Sequence, residues 1–161
     1  GFVFDSYLSP GNFVSETCGA INFELVVRGV SAHAGISPEK GVNAIKIAAE
    51  AMAGFPFGRI DEVTTANIGI VKGGTGTNVV CDEVHMTGEI RTDFTHHGEE
   101  IMAKVISDFN KVCEKYGGKL ESKHFWDFLP YSVKEDDKPY THFSKIAKRL
   151  GLNPSPKKSM G

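Results

Sequence analysis

Long hydrophobic runs are missing from this 161-residue chain, and nothing approaches the roughly 20 consecutive apolar residues that span a bilayer. An excess of basic charge is missing too. Lys and Arg number 18 against 20 Asp and Glu, a net charge of −2, so no basic face able to displace counterions from nucleic acid is expected. Cysteine is scarce: Cys18, Cys81 and Cys113 are odd in number and far apart. They form neither a disulfide framework nor a Cys-x-x-Cys metal pair, and reduced thiols of a cytoplasmic protein are the expected state. Repeats and low-complexity tracts are absent, and 40% of the residues are hydrophobic, which excludes disordered and collagen-like classes. What remains is one globular domain, or at most two small ones.

The edges of the sequence carry a separate signal. It opens on apolar Gly1-Phe2-Val3-Phe4, a buried-strand pattern, and closes at Ser159-Met160-Gly161 just after turn-rich Asn153-Pro154-Ser155-Pro156. Both read as cuts through something larger, so an excised piece is expected.

Ile21, Phe23, Leu25 and Val27 alternate with Asn22, Glu24 and Arg28, the period of a half-buried strand that Gly29 ends. Ser37-Pro38-Glu39 predicts a helix start, with Val42, Ile45, Ala48, Ala49 and Met52 as its apolar stripe and Gly54 and Pro56 as its stop. A second strand is expected from Thr65 to Lys72. After the Gly73-Gly74-Thr75-Gly76 turn, a third places Val84, Met86, Gly88 and Ile90 on one face. Thr95 can cap a second helix with the stripe Ile101, Met102, Val105, Ile106, Phe109, Val112, Cys113 and Tyr116, closed by Gly117 in a left-handed cap. Leu120 to Phe128 reads as a fourth strand with poor alternation around His124. The order is β-α-β-β-α-β, so the expected fold is α+β: a ferredoxin-like four-stranded antiparallel sheet with two helices on one face. A last helical piece, Tyr140 to Leu150, has no partner on that sheet.

Few residues suggest chemistry. His33 sits among small residues in Ser31-Ala32-His33-Ala34-Gly35, where it either satisfies loop carbonyls or faces a ligand. Gly73 to Asn78 is glycine-rich but lacks the Lys-Ser/Thr ending of a phosphate cradle, so a tight turn with Asn78 near the left-handed region is expected. Arg91 lies on the polar strand face. His96 and His97 read as surface histidines without matching metal donors, and Glu135-Asp136-Asp137 as a solvated acidic loop. Phe125, Trp126 and Phe128 are expected to pack in the core rather than to form a stacking platform. Asp5, at the tip of the apolar opening strand, is where open α/β sheets place ligands. One carboxylate is not a metal site.

Three ordered motifs carry a resemblance. Arg28-Gly29-Val30-Ser31-Ala32-His33-Ala34-Gly35 with Pro38-Glu39-Lys40-Gly41-Val42-Asn43-Ala44-Ile45 resembles the hallmark segment of the dizinc exopeptidases that include aminoacylase, carboxypeptidase G and tripeptidase T. Thr64 to Gly69 with Gly73 to Val80, and then Gly88-Glu89-Ile90-Arg91, resemble the strands that follow in the same order, most like the peptidase T branch.

The resemblance implies a zinc-dependent peptidase T-like aminopeptidase, a hydrolase of small peptides. Residues 19–131 would be its lid and homodimerisation domain, with 1–18 and 132–161 as flanks of the catalytic domain. Asp5 would be one ligand of the two-zinc site. His33 would reach across the dimer to the oxyanion of the partner's site, while Asn78 and Arg91 would hold the substrate backbone and terminal carboxylate. The family's other metal ligands and its paired glutamates are absent from this sequence, so the piece alone is expected to be inactive and to hold no zinc tightly. Two other functions compete: the lid of a related metal-dependent deacylase or amidohydrolase, and a stand-alone βαββαβ regulatory module. Net charge and the absence of paired aromatics on the central strands speak against an RNA-binding sheet.

Overall fold

The computed structural model of the chain describes Val3 and residues 8–159. Among these, eight strands and three α-helices form two sheets with one main core. Strand β1 (Asn12–Thr17) leads into β2 (Gly19–Arg28), and α1 (Ala44–Ala53) follows. Next come β3 (Gly58–Asp61), β4 (Thr64–Gly73), β5 (Glu83–Thr92) and α2 (Thr95–Tyr116). The chain then forms β6 (Lys119–Phe128), β7 (Tyr131–Ser132), α3 (Lys138–Arg149) and β8 (Ser155–Ser159).

The larger sheet has five strands in the order β3-β4-β5-β2-β6, and every pairing is antiparallel. The expected βαββαβ arrangement is present, but the strand count of four is corrected to five. The added strand, β3, covers only the start of β4, pairing with Thr64 to Ala66. A bulge between Ile68 and Ile70 then bends β4, and Ile70 and Val71 remain about half exposed along the uncovered stretch.

Burial follows the strand period. Ile21, Phe23, Leu25 and Val27 of β2 are buried with Val84, Met86 and Ile90 of β5. The stripe of α2 covers them with Met102, Val105, Phe109 and Cys113, and Gly117 closes this helix with φ +75°. Full burial of one such side chain contributes about 1.5–3 kcal/mol. Gly98, in the first turn of α2, lets the helix approach the sheet, because a Cβ there would meet Ile21, Thr92 and Trp126 at 3.0 Å.

The first helix differs from expectation. Pro38–Lys40 forms a single 3-10 turn, and Ser37 makes no side-chain capping bond. Val42 is held in an antiparallel bridge with Val30, its N–H donating to the Val30 carbonyl at 2.8 Å, so it cannot be helical. The α-helix starts after Asn43, whose side chain accepts from the Lys46 N–H at 3.1 Å. The stripe shifts with it: Ala44, Ile47, Ala48 and Ala51 are buried, while Ile45 and Ala49 are exposed. In the second helix Thr95 is the first helical residue rather than the cap.

The smaller sheet, order β7-β1-β8, pairs β1 antiparallel with β7 and parallel with β8. It explains the unpartnered last helix. Phe13 of β1 contacts the rings of Tyr140 and Phe143 of α3 at centroid distances of 5.0 and 4.6 Å. No helix among the described residues is long and apolar enough to cross a membrane.

Candidate functional site

The loop from Val30 to Gly41 is tied down at three places. The Val30–Val42 bridge closes its base, the Ala32 carbonyl accepts from the Val80 N–H at 2.9 Å, and the Ala34 N–H donates to the Asn78 carbonyl at 2.8 Å. His33 and Val79 form a further isolated bridge. The structure thus brings His33 and Asn78 onto one paired-loop platform.

The His33 ring is exposed. Its Nδ1 accepts from the Gly35 N–H at 3.2 Å, so a neutral ring carries its proton on Nε2. The carbonyl of His33 accepts from the Ile36 and Ser37 N–H groups, which turns the tip. Ile36 at that tip is 78% exposed, an unusual place for a large apolar side chain. Asn78 is exposed and not left-handed, a correction to expectation. The positive φ of this turn falls on Gly74 at +85°, and no non-glycine among the described residues has a positive φ.

Arg91 lies elsewhere. It pairs in register with Ala20 and Thr65, near the end of β5, whereas the Asn78 turn precedes the start of that strand at Glu83. Arg91 lies eight residue steps along the strand from Glu83, about 26 Å at ~3.3 Å per residue. His33 and Asn78 therefore stand at one end of the sheet and Arg91 at the other.

The guanidinium of Arg91 is bound by Glu89, Nε to Oε1 at 2.9 Å and Nη2 to Oε2 at 3.1 Å, and this bond raises its already high pKa. The buried Cys18 thiol lies close enough to feel it: burial raises the thiol pKa, the Arg91 charge opposes that rise, and Asp93 adds to it. Asp93 in turn pairs with Lys158 of β8, linking the two sheets beside Arg91. Glu89 was not singled out from the sequence, although the Glu-x-Arg spacing on a strand puts both side chains on one face.

Other candidates resolve plainly. His97 bonds Asp61 at 2.8 Å, tying α2 to β3, and His96 lies beside Phe94. Trp126 packs against the core and donates to Glu99 at 2.6 Å; His124 also bonds Glu99, which accounts for the broken alternation of β6. Phe125 and Phe128 are exposed, a correction to the expected core packing, because Phe125 pairs with Asn22 on the face away from the helices. Asp5 lies outside the described residues. Among the described residues, no group of three or more His, Cys, Asp or Glu side chains could hold a metal ion.

One helical layer on a five-stranded antiparallel sheet, beside a smaller three-stranded sheet, defines an α+β module. The chain belongs to the peptidase dimerisation domain family, whose model matches residues 15–117. Its structure is similar to that of aminopeptidase PepT from Bacillus cereus ATCC 10987, with TM-score 0.87 and 36% identity over 98% of this chain and 42% of that one. A tripeptidase from Staphylococcus aureus subsp. aureus mu50 gives TM-score 0.88 and 29% identity, covering 98% of this chain and 42% of that one. The N-acetylcysteine deacetylase of Bacillus subtilis strain 168 is 30% identical over 134 residues, 80% of this chain and 34% of that protein. The chain spans only 34% to 42% of the length of these relatives.

Proposed function

We propose that this chain is the lid of a metal-dependent aminopeptidase resembling peptidase T, which hydrolyses small peptides and works as a homodimer. Residues 19–131 form the lid, and 1–18 with 132–161 belong to the catalytic half. His33 donates from Nε2 to the oxyanion that develops as the peptide bond is attacked. The Asn78 amide holds the substrate backbone. Arg91 takes the terminal carboxylate, a task suited to a planar fork of donors.

The observation that carries this reading is the separation of these residues. No small peptide reaches both ends of a strand about 26 Å long, so one subunit cannot bring His33 and Arg91 to the same substrate. Arg91 lies beside the second sheet, where its own catalytic half joins, and serves its own site. His33 and Asn78, with exposed Ile36, lie at the far end and serve the partner's. The uncovered stretch of β4 from Ile68 to Gly73, with half-exposed Val71, supports strand-edge pairing between two copies. The two zinc ions expected from the resemblance need donors other than the described residues; Asp5 is the one this chain is expected to add.

A mixed dimer tests the arrangement. One subunit carries His33→Ala and the other Arg91→Ala, each variant being strongly impaired as a homodimer. Both defects then fall on one site and the other is complete, so the heterodimer keeps about half of the parent activity. Activity no higher than that of the two variants would overturn the trans assignment.

A second reading, the lid of a deacylase, draws on the likeness to N-acetylcysteine deacetylase. Comparing hydrolysis of a tripeptide with that of an N-acetyl amino acid separates the two.

A further inference from the structure

The tip of the His33 loop carries a large apolar side chain that this chain leaves uncovered. Ile36 is 78% exposed, yet its backbone is fixed. The Ile36 N–H donates to the His33 carbonyl at 3.2 Å, and the Ser37 N–H donates to the same oxygen at 3.0 Å. The Pro38–Lys40 turn follows at once and closes back on Ser37 through the Lys40 N–H at 3.1 Å. A β-branched side chain has little χ1 freedom of its own. Ile36 therefore presents one preset apolar surface.

The turn also sets how far that surface lies from the imidazole. His33 and Ile36 are its first and fourth residues, which holds their Cα atoms within about 7 Å. Successive Cα atoms of a peptide are about 3.8 Å apart. A carbonyl held by the His33 ring thus has only the side chains nearest to it within reach of Ile36.

Val79, also exposed, adds to the same rim. It is bridged to His33, and the bonds that flank the bridge run from the Ala34 N–H to the Asn78 carbonyl and from the Val80 N–H to the Ala32 carbonyl. That pattern makes His33 and Val79 a non-hydrogen-bonded pair, the kind with Cα atoms about 4.5 Å apart and side chains closest together. Apolar groups flank the ring from the loop and from the Asn78 turn. Exposed Glu39 and Lys40, next along the loop, offset each other in charge.

We propose that Ile36 is a specificity-determining residue. With Val79 it forms an apolar wall, in the partner's site, for the side chain of the substrate's first residue, whose carbonyl His33 holds. The favoured substrates are small peptides that begin with an apolar residue. The proposal rests on the reading of His33 given above. The first residue falls to this platform because the Arg91 that takes the terminal carboxylate comes from the other subunit. An apolar wall acts on ground state and transition state alike, so it lowers KM and leaves kcat nearly unchanged.

The test uses the intact enzyme with Leu-Gly-Gly, Gly-Gly-Gly and Gly-Leu-Gly. The parent has a higher kcat/KM for Leu-Gly-Gly than for Gly-Gly-Gly. Ile36→Ala lowers that ratio about 10-fold, the scale of a lost apolar contact in a specificity pocket, and does so through a higher KM for Leu-Gly-Gly. Gly-Gly-Gly has no side chain to lose contact and changes little. Ile36→Val gives up one methylene and falls between. The melting temperature and the dimer Kd stay close to those of the parent.

His33→Ala is measured beside these variants. A kcat untouched by His33→Ala would overturn the reading of His33 and this proposal with it. A kcat lowered by His33→Ala, with a ratio unmoved by Ile36→Ala, would overturn the role of Ile36 alone. Equal losses on all three peptides would make Ile36 a contact between subunits, and a loss confined to Gly-Leu-Gly would place it at the second residue. Either result overturns the wall for the first side chain.

Discussion

The Ala34 N–H donates to the Asn78 carbonyl across 2.8 Å, which couples the loop bearing His33 to the turn bearing Asn78. Displacing either one displaces the other. The platform is backbone-built, so side-chain changes on it alter chemistry with little effect on shape.

His33→Ala in the intact enzyme is expected to lower kcat by about 10²–10³, as loss of one oxyanion donor does. KM should move far less, since the bond strengthens mainly in the transition state. The exposed ring supports little packing, so the melting temperature should hold. Steady-state kinetics with thermal melts check this; lost stability with kept kcat would make His33 a loop-satisfying residue.

Gly29→Ala should disturb the platform from below. A Cβ at Gly29 would run into the carbonyl oxygen of Val42, the group that accepts the Val30 N–H. We expect a loss on the order of 1–3 kcal/mol in denaturant unfolding. Activity should fall further than that of a core variant of equal stability, because the His33 loop shifts with the bridge.

Val71→Lys should weaken the dimer. In an isologous strand-edge contact each new lysine is brought near its own symmetry mate. Sedimentation equilibrium is expected to give a dimer Kd raised by about 10-fold or more, with the monomer fold intact by circular dichroism. An unchanged Kd would move the interface away from the open stretch of β4.

Acid should expose the tie between the two helices. Hydrogen bonds from Lys115 at 2.6 Å and Tyr116 at 2.5 Å hold the Glu50 carboxyl below its usual range. A carboxyl with a lowered folded-state pKa contributes stability above its unfolded value, about 4.3, and loses it as pH falls through the lower folded value. Glu50→Gln should therefore melt below the parent at pH 7 and pH 5, and the gap should close toward pH 3. A gap constant with pH would remove the carboxylate from the account.

The parts of the fold legible in the sequence were those governed by one dominant period. Ile21 to Val27, Val84 to Ile90 and the α2 stripe each meet a single surface, so alternation or a 3.6 spacing reports it directly. Long-range contacts overrode local signals elsewhere. Pro38 carries a genuine helix-start signature, but the Val30–Val42 bridge claims the next turn and delays the helix to Ala44. Strand β3 is four residues long, too short for a period. His124 faces Glu99 instead of an apolar neighbour, which hid the pattern of β6. For the proposed site, the sequence offers His33, Asn78 and Arg91 as candidates but not the distance between His33 and Arg91, because that depends on which end of β5 each one reaches.

The paired tethers of the larger sheet have a practical consequence. Strand β1 runs into it and β7 runs out, with Thr17 opposite Tyr131. A Cβ on Gly19 would come within 2.5 Å of Pro130, so the two crossings are in contact. A segment of more than 100 residues thus begins and ends one interstrand gap apart, roughly 4.8 Å. That makes it a cassette. Excision between Thr17 and Tyr131 leaves two strand ends that a short turn can join at little entropic cost, and a foreign module with equally close ends could be spliced through the same neck.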